Sequence, residues 1–230
     1  MHALILADGD APDRAALDAA WPGWDAGVGL VIAADGGARH APGLGVWIDR
    51  WVGDGDSVEP AMLDALRAAG TTIDRSPRDK DESDTELAVA TALAAGADRL
   101  SIVGALGGPR LDHALANLTL LSLPELRGLD VRILTAGHRV RLLVADDPAP
   151  TALAGGLDLA GRVGDLVSLL PVGGDVTGVS TEGLRYPLRD EPLRLGRTRG
   201  LSNVLVAPEA RVAIRTGRLL VVEGPATLSP

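Results

Sequence analysis

The chain has no cysteine, no phenylalanine, one tyrosine and one lysine among its 230 residues. Without cysteine there is no disulfide framework, no thiolate metal site and no cysteine nucleophile. With aromatics reduced to Tyr186 and four tryptophans, the core must be built from Leu, Val, Ile and Ala. No segment approaches the roughly 18 uninterrupted apolar residues of a membrane-spanning helix. The first residues run straight into a strand-like segment, without the basic and long apolar regions of a secretory leader, so a soluble, cytoplasmic protein is expected. A basic face is also lacking. The formal net charge of -9 argues against nonspecific binding to nucleic acid or an anionic membrane, because counterion release needs such a face. It leaves nucleotide binding open, since a divalent cation reverses the local sign. The Gly-x-x-x-x-Gly-Lys-[Ser/Thr] phosphate loop, a Gly-x-Gly-x-x-Gly opening the first helix and a Gly-x-Ser-x-Gly elbow are all missing. The four histidines (His2, His40, His113 and His138) show no metal-ligand spacing.

What is present is a folded globule, 46% hydrophobic and long enough for one large domain or two modest ones. Over the first 135 or so residues, short apolar runs alternate with helical patterns. The strands are predicted at 3–7, 30–34, 50–53, 72–75, 100–104 and 131–135, the helices near 12–21, 60–69, 85–95 and 111–123. Pro60 suits a first helical turn, and Ser83 with Glu86 makes a capping box. This alternation predicts an α/β domain over 1–137, a parallel sheet covered on both faces. Beyond Gly137 the helical period disappears. Short β-branched or Leu-rich runs at 140–144, 163–170, 203–206, 212–214 and 219–222 predict an all-β domain over 138–230 rather than more strands on the first sheet. Residues 146–150, Asp-Asp-Pro-Ala-Pro, predict a stiff bend.

Ligands of open parallel sheets collect outside the carboxyl ends of the strands, and five consecutive strands here end in Gly, Asp or both. Asp8-Gly9 follows the first, Asp35-Gly36-Gly37 the second, and Asp54-Gly55-Asp56-Ser57 the third. Lys80, set among Asp79, Asp81, Glu82 and Asp84, follows the fourth, and the Gly104–Arg110 stretch follows the fifth. Each cluster alone is ordinary turn chemistry. Glycines let backbone N–H groups approach an anion, and a following helix adds its positive end. The carboxylates repel a bare anion, so the combination makes sense with a hard cation between carboxylate and phosphate. Mg²⁺ is commonly held by one or two carboxylates plus substrate phosphates; Asp54 and Asp56 suit that role, with Asp81 and Asp84 as further candidates. Asp84 has a competing role in the first turn of a helix. Lys80 is the one cation not written as arginine, and a lysine acts as a point charge on phosphate; the competing reading is a solvated charge run. His113, taken alone, reads as a capping or structural histidine.

Taken together, these segments resemble the thiamine pyrophosphokinase (thiamine diphosphokinase) family. The resemblance rests on Ala34-Asp35-Gly36-Gly37-Ala38, Gly53-Asp54-Gly55-Asp56-Ser57 and Pro77-x-Asp79-Lys80-Asp81-x-Ser83-Asp84-x-Glu86. It continues through Gly107-Gly108-x-Arg110-x-Asp112-His113 and Asn117 to Val167-Ser168-Leu169-Leu170-Pro171, Gly183-Leu184 and Ser202-Asn203. It implies a three-layer, Rossmann-like N-terminal domain that binds ATP and Mg²⁺, a C-terminal β-sandwich that binds thiamine, and a homodimer. The implied reaction moves a pyrophosphoryl group from ATP to the thiamine hydroxyl, releasing AMP. By this carry-over Asp54, Asp56 and Asp81 hold Mg²⁺ and the phosphates, and Lys80 and Arg110 stabilise phosphate charge. Asp35, Gly36, Gly37, Ser57, Asp84, Gly107, Gly108, Asp112, His113 and Asn117 fall on the nucleotide side, Ser202 and Asn203 in the thiamine pocket. The chain departs from the family pattern at Asp8 (commonly Asn), Ser83 (usually Thr) and the inserted Pro109, and no aromatic follows Ser202. Transfer to another heterocyclic alcohol such as a hydroxymethylpterin, or a silent nucleotide- or thiamine-binding regulator, are the alternatives; the intact carboxylates argue against the regulator.

Overall fold

The structure is a computed structural model that describes residues 1–145 and 156–226. The chain divides into two compact units, Met1–Ala136 and Gly137–Pro230. The expected bend at 146–150 lies outside the described residues.

The first unit is a parallel sheet with helices between its strands. In chain order it runs β1 (His2–Leu6), α1 (Arg14–Ala20), β2 (Val28–Ala34), a 3₁₀ turn (Asp35–His40), α2 (Ala41–Leu44) and β3 (Arg50–Gly53). It continues with α3 (Pro60–Ala68), β4 (Thr72–Arg75), α4 (Asp84–Ala94), β5 (Arg99–Val103), α5 (Leu111–Leu120) and β6 (Asp130–Leu134). The spatial order is β6-β5-β1-β2-β3-β4, and every pairing among these strands is parallel. β1 is central and buried along its whole length, which is why it reads as an unbroken apolar run rather than an alternating one. The chain grows outward from β1 on one side as far as β4, then returns to its other side with β5. That reversal makes a topological switch point, and a crevice opens outside the strand ends there.

Local chemistry sets the element boundaries. The first helix starts at Arg14 rather than 12 because Asp13 caps it, its carboxylate accepting the Ala16 N–H at 2.8 Å. Pro60 takes the first turn of α3. Ser83 caps α4, its Oγ accepting the Glu86 N–H at 3.1 Å. The last predicted helix stops at Leu120 instead of 123, and Pro124 then opens a short 3₁₀ turn, Pro124–Leu126. The 3₁₀ turn and α2 after β2 were not expected, because Gly36, Gly37 and Gly43 mask the helical signal of 35–44. One face of the sheet packs Leu4, Leu6, Leu17, Trp51 and Leu63 into a shared core. Trp51 is fully buried, and its indole N–H reaches the Asp35 carbonyl at 3.0 Å.

Among its described residues the second unit is built of antiparallel strands: β7 (Arg139–Ala145), β8 (Gly156–Ala160), β9 (Leu166–Pro171), β10 (Val176–Glu182), β11 (Glu191–Leu193), β12 (Asn203–Val204), β13 (Glu209–Ala213) and β14 (Gly217–Gly224). Within it one set runs β12-β9-β14-β7 and a second runs β11-β10-β13-β8. The two sets share one core, with Leu143, Val167, Leu169, Leu219 and Val221 from the first and Leu159, Val176, Val179 and Val212 from the second. Alternate burial along β9 shows the period-2 pattern of strands with one face inward. The predicted strand 163–170 begins later, at Leu166, because Arg162 and Asp165 close a turn: Asp165 accepts the Arg162 N–H at 2.8 Å. The strands β8, β10 and β11 escaped the sequence reading. Each carries Gly, Pro or acidic residues that break up its apolar pattern; β8 and β11 are short besides, with one buried residue apiece.

Candidate functional site

A cavity of about 430 Å³ opens in the first unit, and all five predicted strand ends contribute to it. Asp8 and Gly9 come from the end of β1, Asp35 from β2, and Asp54, Asp56 and Ser57 from β3. The segment after β4 supplies Arg78, Lys80, Glu82, Ser83 and Asp84. The loop after β5 supplies Gly107, Gly108 and Arg110, and α5 adds His113 and Asn117.

At the centre lie Asp35, Asp54 and Asp56, each offering one carboxylate oxygen within 4.8 Å of the others. Asp54 closes a tight turn by accepting the Asp56 N–H at 2.9 Å. Asp56 is exposed and receives the Arg78 guanidinium at 3.0 Å and the Ser57 hydroxyl at 3.1 Å. The Arg78 hydrogen bond, helped by Ser57, holds the Asp56 carboxyl below the usual range. Asp35 is buried, and burial pushes its carboxyl up, against the opposing bond from the Ser57 N–H. Lys80 is far from a solvated charge: its side chain is 12% exposed, and Nζ donates to Ser76 Oγ at 2.9 Å and to Asp84 at 2.7 Å. Asp84 heads α4, where a carboxylate also complements the helix dipole. Arg110 lines the cavity but is turned to its neighbour Asp112 through two bonds, at 2.9 and 2.6 Å, which hold the Asp112 carboxyl well below its ordinary value. Asn117 is buried and anchors the loop after β5 by donating to the Ala105 carbonyl at 2.8 Å.

Six carboxylates therefore face three cations across the cavity wall, and each of those cations already pairs with an aspartate. A polyphosphate arriving alone meets repulsion. Arriving with a divalent cation, it meets an all-oxygen donor set of the kind hard cations prefer.

Several predicted residues lie elsewhere. Gly36 and Gly37 are buried and do not line the cavity. Their small size is needed for packing: a Cβ on Gly36 would run into the Asp8 carboxylate, and one on Gly37 into the Leu6 carbonyl. Asp81 is exposed and stands outside both the aspartate trio and the cavity lining, as Asp112 stands outside the lining. Asn203 is buried in the second unit, its side chain pinning the loop at Tyr186: Oδ1 accepts the Tyr186 and Val204 N–H groups and Nδ2 donates to the Tyr186 carbonyl at 2.8 Å. It forms, with Tyr186, Leu169 and Arg199, the wall of a smaller cavity of about 250 Å³. Ser202, beside it, is exposed at φ 58° with its N–H bonded to Ser168 Oγ. The residue that sequence reasoning missed is Arg78. Among so many arginines it carried no signal beyond its place two residues before Lys80.

Comparison with known proteins gives one answer at three levels. Residues 26–133 match the family described as thiamin pyrophosphokinase, catalytic domain, and 157–221 match thiamin pyrophosphokinase, vitamin B1 binding domain. A thiamine pyrophosphokinase of Bacillus subtilis (strain 168) is 25% identical over 194 residues, 84% of this chain and 86% of that protein. The crystal structure of thiamine pyrophosphokinase from Bacillus subtilis superposes with a TM-score of 0.81 at 22% identity, covering 98% of this chain and 99% of that one. The thiamin pyrophosphokinase from Candida albicans superposes at 0.74 with 14% identity, covering 97% and 90%. At such identities the two structures speak for the fold alone.

Proposed function

Since the chain belongs to the thiamine pyrophosphokinase family, we propose that it transfers the pyrophosphoryl group of ATP to the hydroxyl of thiamine, giving thiamine diphosphate and AMP. One observation within the molecule carries the reading: Asp35, Asp54 and Asp56 converge at the strand ends of a parallel sheet, in a cavity where anions are welcome only with a cation. The all-oxygen donor set fits Mg²⁺. Held there, Mg²⁺ would supply positive charge to offset what develops on the phosphates. Asp54 and Asp56 would hold it, and Asp81 is the further ligand to test.

The chain's own residues would do the rest. Lys80, fixed by Ser76 and Asp84, presents a positioned charge to the phosphates. Arg110 and Arg78 stand at the cavity edge, each able to exchange its carboxylate partner for a phosphate oxygen. Ser57, Gly107, Gly108, His113 and Asn117 shape the nucleotide wall. The hydroxyl oxygen of thiamine bonds to the β-phosphorus, the oxygen bridging the α- and β-phosphorus leaves with AMP, and the hydroxyl proton passes to a neighbouring carboxylate or to water. In such transfers alignment contributes more than base strength. Thiamine itself would be taken by the second unit, where Ser202 and the cavity beside Tyr186 offer a polar edge and a ring surface. In the same reading the first unit is Rossmann-like, the second is a β-sandwich, and the protein works as a cytoplasmic homodimer.

The test is to incubate the purified protein with ATP, Mg²⁺ and thiamine and to separate the nucleotides. AMP formed one-to-one with thiamine diphosphate is the expected result. ADP with thiamine monophosphate, or no thiamine-dependent turnover, overturns the reading.

A further inference from the structure

Asp35 differs from the other two aspartates of the trio in three respects. It is 3% exposed, whereas Asp56 is exposed. Both of its carboxylate oxygens accept backbone N–H groups: Oδ1 that of Gly55 and Oδ2 that of Ser57, each at 3.1 Å, whereas Asp56 is engaged by side chains and Asp54 by a single backbone N–H. Its backbone sits in the left-handed region at φ 43°, a conformation that L residues avoid unless their surroundings impose it. Those surroundings are visible. Its carbonyl receives the buried Trp51 indole N–H, and Gly53 packs so closely that a Cβ there would come within 2.9 Å of the Asp35 Cβ.

We infer that Asp35 is a positioning residue: its carboxylate is the internal template on which the 54–57 turn is wound, so that Asp54 and Asp56 present their oxygens side by side to a divalent cation. The inference rests on the metal site of the proposed function and deepens it. Two carboxylates two residues apart repel each other and, on an unsupported Gly-hinged turn, would swing apart into solvent. Backbone N–H groups at 55 and 57 bracket Asp56, and tying both to a single buried carboxylate leaves the turn one arrangement. Direct ligation asks for the same oxygens. In the template role the fit of the N–H groups to the carboxylate comes first, and the cation is met by the residues the template orients. The same logic makes outer partners of metal ligands worth roughly ten- to hundredfold in metal affinity.

The decisive variant is Asp35→Asn, because asparagine tolerates the left-handed conformation as aspartate does. It keeps one acceptor and points an N–H₂ donor at the second backbone N–H. The probe is Mn²⁺ alone, titrated without nucleotide, alongside amide hydrogen exchange. In the wild-type protein without metal, the Gly55 and Ser57 amides are expected to exchange slowly. Asp35→Asn is expected to release at least one of them and to weaken Mn²⁺ binding roughly ten- to hundredfold. Asp54→Asn is expected to weaken Mn²⁺ while leaving both amides protected, since it touches only the Asp56 N–H. Asp35→Asn with both amides still protected and Mn²⁺ lost would make Asp35 a ligand and overturn the inference, as would unchanged Mn²⁺ affinity. Should that variant fail to fold, rapid exchange at Gly55 and Ser57 in the wild-type protein overturns the inference and slow exchange upholds it. Neither readout uses thiamine or turnover, so absence of thiamine-dependent AMP release would sink the enzymatic reading and leave this result standing.

Discussion

At Lys80 the position matters as much as the charge. The ammonium is gripped between the Ser76 hydroxyl and the Asp84 carboxylate, with little of the side chain left to solvent. A guanidinium would have to place a wider, planar fork in the same slot. Lys80→Arg is therefore expected to fold normally and to lower kcat roughly ten- to a hundredfold, as the loss of a preorganised charge on the transferring group does. Equal rates for the two proteins would leave Lys80 with a purely structural role. Asp54 and Asp56 make the companion case. Asparagine at either position keeps the shape of the turn and removes a charge from the cation, so a folded protein with most of its turnover gone is expected, several kcal/mol of transition-state stabilisation. A well-folded Asp54→Asn enzyme of near-normal activity would remove Asp54 from the metal site. These residues were legible because their types were unusual for their surroundings: a lone lysine, and acids two apart in a Gly-hinged turn. Arg78 was illegible for the opposite reason, being one arginine among many, and only the fold brings it to Asp56.

Elements were legible where their local chemistry is autonomous. β1 and β5 are short apolar runs that need no neighbour to be recognised, and the cap Ser83 announces α4. Replacing Ser83 by alanine is expected to cost about 1 kcal/mol, seen as a lower melting temperature with the fold intact. The 3₁₀ turn after β2 is different in kind. Its glycines answer to the carboxylate of Asp8 and the carbonyl of Leu6 on another strand, a demand invisible along the chain. From the sequence Gly36 and Gly37 look like a cradle for phosphate; in the fold they are where two strand ends come close enough to touch. Gly37→Ala should accordingly destabilise by roughly 1–3 kcal/mol, as overpacking does, whether or not nucleotide is present. If its cost grew when nucleotide was bound, because the variant held nucleotide more weakly and gained less stability from it, a phosphate-cradling role would be the better account. The weakly patterned β8 was missed on similar grounds, since its strand character comes from β13, far along the chain.

On the scale of the whole molecule, stability should carry the signature of a histidine folded away from water. His2 is buried in β1, its ring nitrogens meeting the Ser101 hydroxyl at 2.9 Å and the Ala26 carbonyl at 3.1 Å. Burial lowers its pKa, and Arg132 and Arg99 nearby add to the effect, against the Ala26 contact and Asp130. The unfolded chain therefore takes up a proton on His2 at a higher pH than the folded one. The stabilising contribution is complete above the unfolded value of about 6.5 and is lost as pH falls below it, with a slope of up to roughly 1.4 kcal/mol per pH unit for one proton. Denaturant unfolding of the wild type and of His2→Gln between pH 5 and 7 should show the slope shrinking in the variant; His40, also lowered by burial, would supply what remains. Parallel slopes would exclude His2 as a source. One last property follows from the single lysine. Apart from the α-amino group of Met1, which is tied to Asp98 at 2.7 Å, the chain holds one primary amine, and it lies in the cavity wall. Amine-directed acylation is thus, without any engineering, a labelling reaction with one internal target. The mass of a single peptide reports whether that cavity is open or filled, and a compound that shields Lys80 from the reagent declares itself a ligand before any product has been made.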